Sequence, residues 1–483
     1  MKKFLALMLC VLLICTAFSA CAGKADSGKV VVCFDTHLCT DNREVESFLR
    51  WLDDCNRYLG LSISSEDVEI ELIPQGIEDP AARSTALQRL RAEIMAGRGP
   101  DLFICSASSG WVGMSSPLED VTGGRLFSYP EKMRESGMFL PLDDLLPDLT
   151  LTNVDDLIPQ VLESGKNQAG EQVMLPLTFS IPGIVFPGKF GEELPQCDFE
   201  GTSWYDVLQG DDPLLREQVN WIWEYASFEE YGEMIRMGGI HNSGLFCLLP
   251  KVADFDSDTL GFSEEELSSL IKDSFAAYKK TVKQETPALS ESIFLCPSEL
   301  HHCHVAHPNV LYEERRDFSF APLRNLARGS TAIVTQYCAV NANTNKKEKA
   351  MAVIDVLLYK NYQTGSPLYD NFNAMPMNRE LCSPGNIYLA DFAFGGTEFT
   401  PEQYDNYLRA LEDINVVRFI SPLDVELNAM MKDIEDKIAE TLPPDVESYR
   451  RDERLADCTI SDEELERIVS EHYQTMQRLL DES

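Results

Sequence analysis

Residues Arg89–Ser106 read RLRAEIMAGRGPDLFICS, a helical pattern that runs directly into a strand. The periodicity puts Leu87, Leu90 and Ile94 on one face, the spacing of a helix that buries a single stripe. Asp79 and Pro80 have the chemistry of a helix cap and a first-turn proline, and Gly97, Gly99 and Pro100 stop the helix. DLFICS follows as a short apolar strand. The same alternation occurs upstream. KVVVCF, from Lys29, is a continuous apolar run suited to a strand buried on both faces. EVESFLRWLDDCNRYLG places Val45, Phe48, Leu49, Leu52 and Leu59 at helical spacing, and VEIELIP reads as a second strand. This βαβαβ run predicts a parallel sheet with right-handed crossovers. A strand order of 2-1-3 would put Cys33 and Cys105 on neighbours near their carboxyl ends, the likeliest pair for a disulfide.

Ligands of such sheets bind beyond the carboxyl ends of the strands. Those ends are FDTHLC, which offers Asp35 and Thr36, and CSASSGW, which offers Ser106, Ser108, Ser109 and Trp111. Small hydroxyl donors beside an aromatic plate suit a neutral polar ligand with apolar faces, such as a sugar. The alternative role of Trp111 is a loop anchor packed on the core.

Along the chain these segments resemble extracellular solute-binding proteins that serve ATP-binding-cassette importers, in the branch that captures sugars and oligosaccharides. RLRAEIMAGRGPDLFICS is similar to that family's helix-to-strand segment. FLPLDDLLPDL and GEQVMLPLTFSIPGIVF resemble its lobe end and first crossover, and GTSWYDVL its Thr-Trp helix start. FSFAPL, then AVNANTNKKEKAMAVIDVLLYKN, resemble the return crossover and a helix burying Ala350, Val353, Ile354, Leu357 and Leu358; AMPMNREL resembles the third crossover. The stretch from Gln209 to Gly232, with Trp221, Trp223 and Tyr225, departs from the pattern.

The resemblance implies an α/β, two-lobed fold of the type II periplasmic-binding-protein-like kind, each lobe a mainly parallel sheet flanked by helices, with a hinge of crossing strands. Lobe one would take residues 29–177 plus 325–372, and lobe two 178–324 plus 373–483. It also implies capture by closure and delivery to permease subunits, with no catalysis and no cofactor, by a monomer. Tyr337, just before AVNAN, would face the ligand, and Phe179 and Asn373, at hinge crossings, would touch it at the cleft floor.

The amino-terminal residues read as an export signal: Lys2 and Lys3, an apolar run from Phe4 to Ala17, then Ser19 and Ala20. That run is short of the roughly 20 residues a spanning helix needs. Phe18-Ser19-Ala20-Cys21 resembles the lipobox of bacterial lipoproteins, with Phe18 where leucine is usual. Residues 1–20 would then be removed, Cys21 would carry a lipid, and residues 21–28 would tether the fold to the outer face of the cell membrane. Cleavage after Ala22, releasing a secreted protein, is the competing reading.

A net charge of −38 disfavours nucleic acid and anionic membrane surfaces as partners. Of 14 cysteines, 11 remain once Cys10, Cys15 and Cys21 are set aside, an odd number that cannot all pair. They are expected mostly as buried, unpaired thiols.

Other signals compete with capture of a solute. LHHCHVAHP carries His301, His302, His304 and His307 with Cys303, chemistry that could hold zinc, yet its spacing fits no standard finger and a variable loop is the plainer reading. Asp254, Asp256, Asp258 and Glu265 fall at positions 1, 3, 5 and 12 of a calcium loop, but Thr259 stands where glycine is required, and Ser263 with Glu266 makes a capping box. GKADSGK lacks the preceding strand and following hydroxyl of a phosphate loop. GxSxG, HExxH and CxxC are absent from the sequence, and 79 carboxylates give no pair prominence as a glycosidase acid and nucleophile. From Thr400 onward the pattern is helical, with Tyr404, Tyr407, Leu408 and Leu411 at core spacing and a last capped helix starting at Ser461.

Overall fold

The computed structural model describes residues 28–35, 42–74, 79–106, 124–187, 249–255, 257–283, 296–300, 318–322, 325–327, 329–365, 375–382, 388–389, 397–398, 408–409, 411–441 and 460–483. The βαβαβ unit comprises β1 (Val30–Asp35), α1 (Asn42–Leu59), β2 (Val68–Leu72), α2 (Pro80–Met95) and β3 (Leu102–Ser106). β1 lies between the other two strands and is parallel to both, with Val30 opposite Val68 and Val32 opposite Leu102, so the order is 2-1-3.

Local chemistry sets the bounds of α2. The Asp79 carboxylate accepts from the Ala82 amide at 2.9 Å, Pro80 fills the first turn, and Leu87, Leu90 and Ile94 are its buried residues. Gly97 and Gly99 then take φ of 70° and 101°, conformations that side chains resist. In α1, Phe48 and Leu52 are fully buried and Val45 and Leu49 pack beside them. Leu59, expected on that face, is 42% exposed, because the helix ends there and Gly60 turns the chain so that Leu61 and Ile63 are buried instead.

β4 (Leu175–Pro187) is 13 residues long and its two halves belong to different sheets. Leu175 to Ser180 pair antiparallel with β7 (Ser330–Val340). Ile181 to Pro187 pair with β5 (Cys296–Leu300) and β6 (Phe318–Pro322). Pro182 and Gly183 stand at the handover, where a residue without an N–H and one without a Cβ are best tolerated. β7 is bordered on one side by β4 and on the other by two strands: β3 along Gln336–Val340 and β9 (Ile414–Phe419) along Ser330–Val334. β8 (Met375–Pro376) edges β4, giving the path β8-β4-β7-β3-β1-β2.

Two separate hydrophobic cores result. The first gathers β1–β3, the first half of β4, β7 and α5 (Lys347–Leu358), in which Ala350, Val353, Ile354, Leu357 and Leu358 are all buried as the pattern predicts. The second is helical, built from α4 (Glu264–Lys283), α6 (Pro422–Ala439) and α7 (Asp462–Asp481) through Leu267, Ile271, Leu427, Met430, Ile434, Ile468 and Met476. The caps form: Ser263 and Glu266 exchange bonds at 2.8 and 3.1 Å, and Ser461 Oγ accepts from the Glu464 amide at 3.2 Å.

Phe179, Ile181, Met375, Met377, Cys382, Leu411, Ile414 and Phe419 belong to the first core. β9 corrects the expectation of helix throughout the stretch from Thr400. Ile414, Val416 and Val417 are β-branched, and they find a long-range partner in β7 that a local pattern cannot reveal.

Candidate functional site

The carboxyl end of the parallel strands is bounded by one register row. Asp35 on β1 lies opposite Cys105 on β3, and Cys105 opposite Tyr337 on β7. The next row sets Ser106 against Gln336, and Gln336 against Thr178 of β4. Asp35, Ser106 and Tyr337, expected from distant parts of the chain, are thus brought to one edge, and Phe179 follows opposite Val334, past the end of β3.

Their side chains are not equally available there. Asp35 is 4% exposed; Oδ1 accepts from Arg83 Nη2 at 2.7 Å and Oδ2 from the Leu126 amide at 2.7 Å. Arg83 donates further to the carbonyls of Pro74 and Gly124, so one ion pair ties together the ends of β1 and β2, the start of α2 and the segment after residue 123. Tyr337 is 1% exposed, its ring edge-on to Phe419 at 5.7 Å and its hydroxyl hydrogen-bonded to Cys105. Burial pushes the phenol and the Cys105 thiol well up from their ordinary values. Phe179 is fully buried, and Ser106, at the tip of β3, is half-buried.

Arg125 was not singled out by the sequence. Its buried guanidinium donates to the Ile420 carbonyl at 3.1 Å, in the field of Asp35 and Tyr337; burial lowers its pKa. Arg83, Thr178 and Thr335 were likewise missed. The two threonine hydroxyls meet at 2.6 Å across β4 and β7, and beside them Ser180 Oγ is buried without a hydrogen-bond partner among the described residues. The signal for Arg83 was present, because a cation one turn into a capped helix following β2 stands near the carboxyl end of the sheet. Nothing local marked the others.

Thr36, Ser108, Ser109, Trp111, Asn373, Cys21 and the histidine tract His301–His307 lie outside the described residues. In the calcium-like loop, Asp254 is paired with Lys251 at 2.8 Å, Asp258 receives Lys132 at 3.3 Å, and Asp256 is outside the described residues. Among the described residues no group of three or more His, Cys, Asp or Glu side chains is placed to hold a metal ion, and no helix is long and apolar enough to cross a membrane.

Cys33 and Cys105 are on neighbouring strands but form no disulfide, and Cys55 and Cys338 are likewise free thiols. The register explains it: Cys33 faces Phe103, two positions from Cys105. Such diagonal neighbours stand roughly 7–8 Å apart, beyond the usual Cα span of a disulfide.

A groove of about 870 Å³ opens elsewhere on the first core, walled by Leu149–Asp156, Lys360 and Glu380. Buried Asp355 holds that wall from behind through the Thr150 and Leu151 amides at 2.6 and 2.8 Å.

No protein-family model and no curated protein matches the sequence. Among solved structures, a de novo designed cysteine esterase is similar at a TM-score of 0.50 and 11% identity, over 94% of this chain and 100% of that one. A family 1 extracellular solute-binding protein from Alicyclobacillus acidocaldarius is similar at a TM-score of 0.48 and 13% identity, over 94% of this chain and 100% of that one. Another from Bifidobacterium longum subsp. infantis has a TM-score of 0.44 and 12% identity, over 93% and 100%. The likeness to the designed protein is one of fold alone, and a designed activity carries nothing over to this chain.

Proposed function

We propose that the protein captures a small solute between two lobes that close about the crossing strands, and passes it on without altering its bonds. The observation that carries this reading is the shared strand: β4 gives one half to each of two sheets, and the described residues form two separate hydrophobic cores. Bodies with their own cores, joined by a few strands, are built for hinge motion. A solute acts on such a hinge by binding the closed state better, and turning a 1:99 closed population into 99:1 takes about 5.5 kcal/mol of differential affinity.

In this proposal the solute meets the loops that continue from β1 and β3, with Thr36, Ser108 and Ser109 as hydrogen-bonding groups, Trp111 as a stacking plate, Ser106 at the rim and Asn373 at the floor. Asp35, Phe179 and Tyr337, enclosed as they are, hold that rim in place. Hydroxyls beside an indole suit a sugar or oligosaccharide. Export, a lipid on Cys21 and delivery to importer permease subunits at the outer membrane face complete the reading.

The test is a thermal-shift panel of sugars, peptides, polyamines and divalent metals, since a cleft binder gains RT ln(1 + [L]/Kd) from its solute. A rise with one chemical class, the solute being recovered unchanged, is the expected outcome. No shift across the panel, or release of new reducing ends from an oligosaccharide, would refute it.

A further inference from the structure

The first described residues lie at the amino edge of the parallel strands, opposite the edge of the proposed solute site. β1, β2 and β3 are parallel, so α1 and α2 both end beside the amino ends of the strands they lead into. α5 starts there too, because β7 runs antiparallel to β3 and finishes with Val340 opposite Leu102. Lys346 donates to the Lys29 carbonyl at 2.6 Å and Lys349 to the Gly28 carbonyl at 2.9 Å, which fastens the entry of the chain to this edge. The segment following α3 (Pro130–Glu135) closes it, with the Ala342 amide donating to the Met138 carbonyl at 2.9 Å.

Large apolar side chains stand in solvent on the same edge. Four are exposed among the described residues, and three of them sit at these helix ends: Tyr58 at 70% and Leu59 at 42% on α1, and Met95 at 78% on α2. The fourth, Leu326, precedes β7 and so lies at the opposite edge. Exposed charges beside the three are of both signs, Arg57, Arg98 and Lys347 against Asp54, Glu66 and Glu348, in a chain whose net charge is −38. Arg57 lies over the Tyr58 ring at 5.8 Å, where a long cationic side chain can stay with polar groups while the ring enters apolar surroundings.

We propose that this amino edge rests on the surface of a lipid bilayer, with Tyr58, Leu59 and Met95 entering the boundary between headgroups and acyl chains. The inference rests on the lipid reading of Cys21 and adds the face that the anchored fold turns to the membrane. Gly28 is seven positions after Cys21, so the edge cannot stand more than about 25 Å from the lipid. A tether this short gives an effective concentration on the order of millimolar, enough to seat a patch too weak to bind lipid alone. Tyrosine suits the place, since its amphipathic ring settles at headgroup level. The acidity of the whole chain makes neutral headgroups the better occupant than anionic ones. Seated in this way, the solute site at the other end of the strands faces the medium, and delivery requires the edge to lift off.

The test replaces residues 1–21 with a six-histidine tag and holds the chain on phosphatidylcholine vesicles containing a nickel-chelating lipid, so that the anchor does not depend on Cys21. Hydroxyl-radical footprinting, read by mass spectrometry, compares it with the same chain released by a chelator. Oxidation of Tyr58 and Met95 should fall roughly three- to tenfold on the vesicles, with Leu326 unchanged. Tyr58→Ser combined with Leu59→Asp, both at exposed positions, should return Met95 to its released rate. Unchanged rates on the vesicles overturn the proposal, as does protection of Met95 that survives the double variant. Protection of the same residues when the released chain is concentrated without vesicles assigns the edge to a second copy and also overturns it. The lipid reading is checked apart, from the mass of the amino-terminal peptide of cell membranes. A bare Cys21 refutes that reading and the proposal with it, whereas failure on the vesicles refutes the edge alone.

Discussion

Replacing Asp35 with asparagine changes one oxygen to an amide and leaves the volume almost untouched, so its effect isolates the carboxylate. In the native site both oxygens accept, one from Arg83 Nη2 and one from the Leu126 amide, each at 2.7 Å. An asparagine has one acceptor, so its NH2 must face either the guanidinium or the amide, donor against donor. The Leu126 amide is buried, and stranding such a group costs about 1–3 kcal/mol. Arg83 loses its counter-charge but keeps the Gly124 and Pro74 carbonyls, so its loss falls below the 3–5 kcal/mol typical of a broken buried pair. The expected total is about 3 kcal/mol of stability in the absence of any ligand. Urea unfolding followed by circular dichroism measures it as a lower midpoint at unchanged slope. A midpoint within about 0.5 kcal/mol of wild type, accompanied by lost solute affinity, would refute the reasoning and make Asp35 a ligand contact.

Two other outcomes follow from the same geometry. His472 is held between Glu426 at 2.7 Å on Nδ1 and Asp433 at 3.1 Å on Nε2, and the Glu426 bond chiefly raises its pKa above 6.5. Its contribution to docking α7 on α6 is therefore complete below about pH 6.5 and lost as pH rises through the raised value; melting temperature against pH should show this decline, and His472→Gln should abolish it. Burial pushes the thiols of Cys33, Cys105 and Cys338 well up, and Cys55 to about 11, so a thiol reagent at pH 8 should label these four only after unfolding, and rapid labelling of the native chain would contradict the buried placement.

Sequence legibility followed the range of the interactions. α2 was readable to the residue because its cap, its stripe and its stop all lie within the helix or next to it. The parallel sheet followed from the βαβαβ rule, which is also local, while the 2-1-3 order was a condition that the strand pairing met. β9 was not readable, since what makes Ile414–Phe419 a strand is β7, whose partner residues begin 84 positions earlier. The site divides in the same way. That Asp35 and Ser106 share an edge came from strand ends, whereas the availability of Asp35 depends on Arg83 and Leu126, which the fold brings from elsewhere. Tyr337 shows the limit: a family resemblance suggested a ligand-facing role, whereas its enclosure by Phe419 is a contact that no local pattern carries.

The way β7 is bordered also constrains how the chain can mature. Emerging from the ribosome, β4 waits for β7, more than 140 residues later, and the first half of β7 then waits for β9. Contacts of such separation are slow to form. Until residue 419 is made, Ser330–Val334 present an open, apolar edge, so the nascent chain stays pliable, and in need of protection from sticking, until that late strand has emerged.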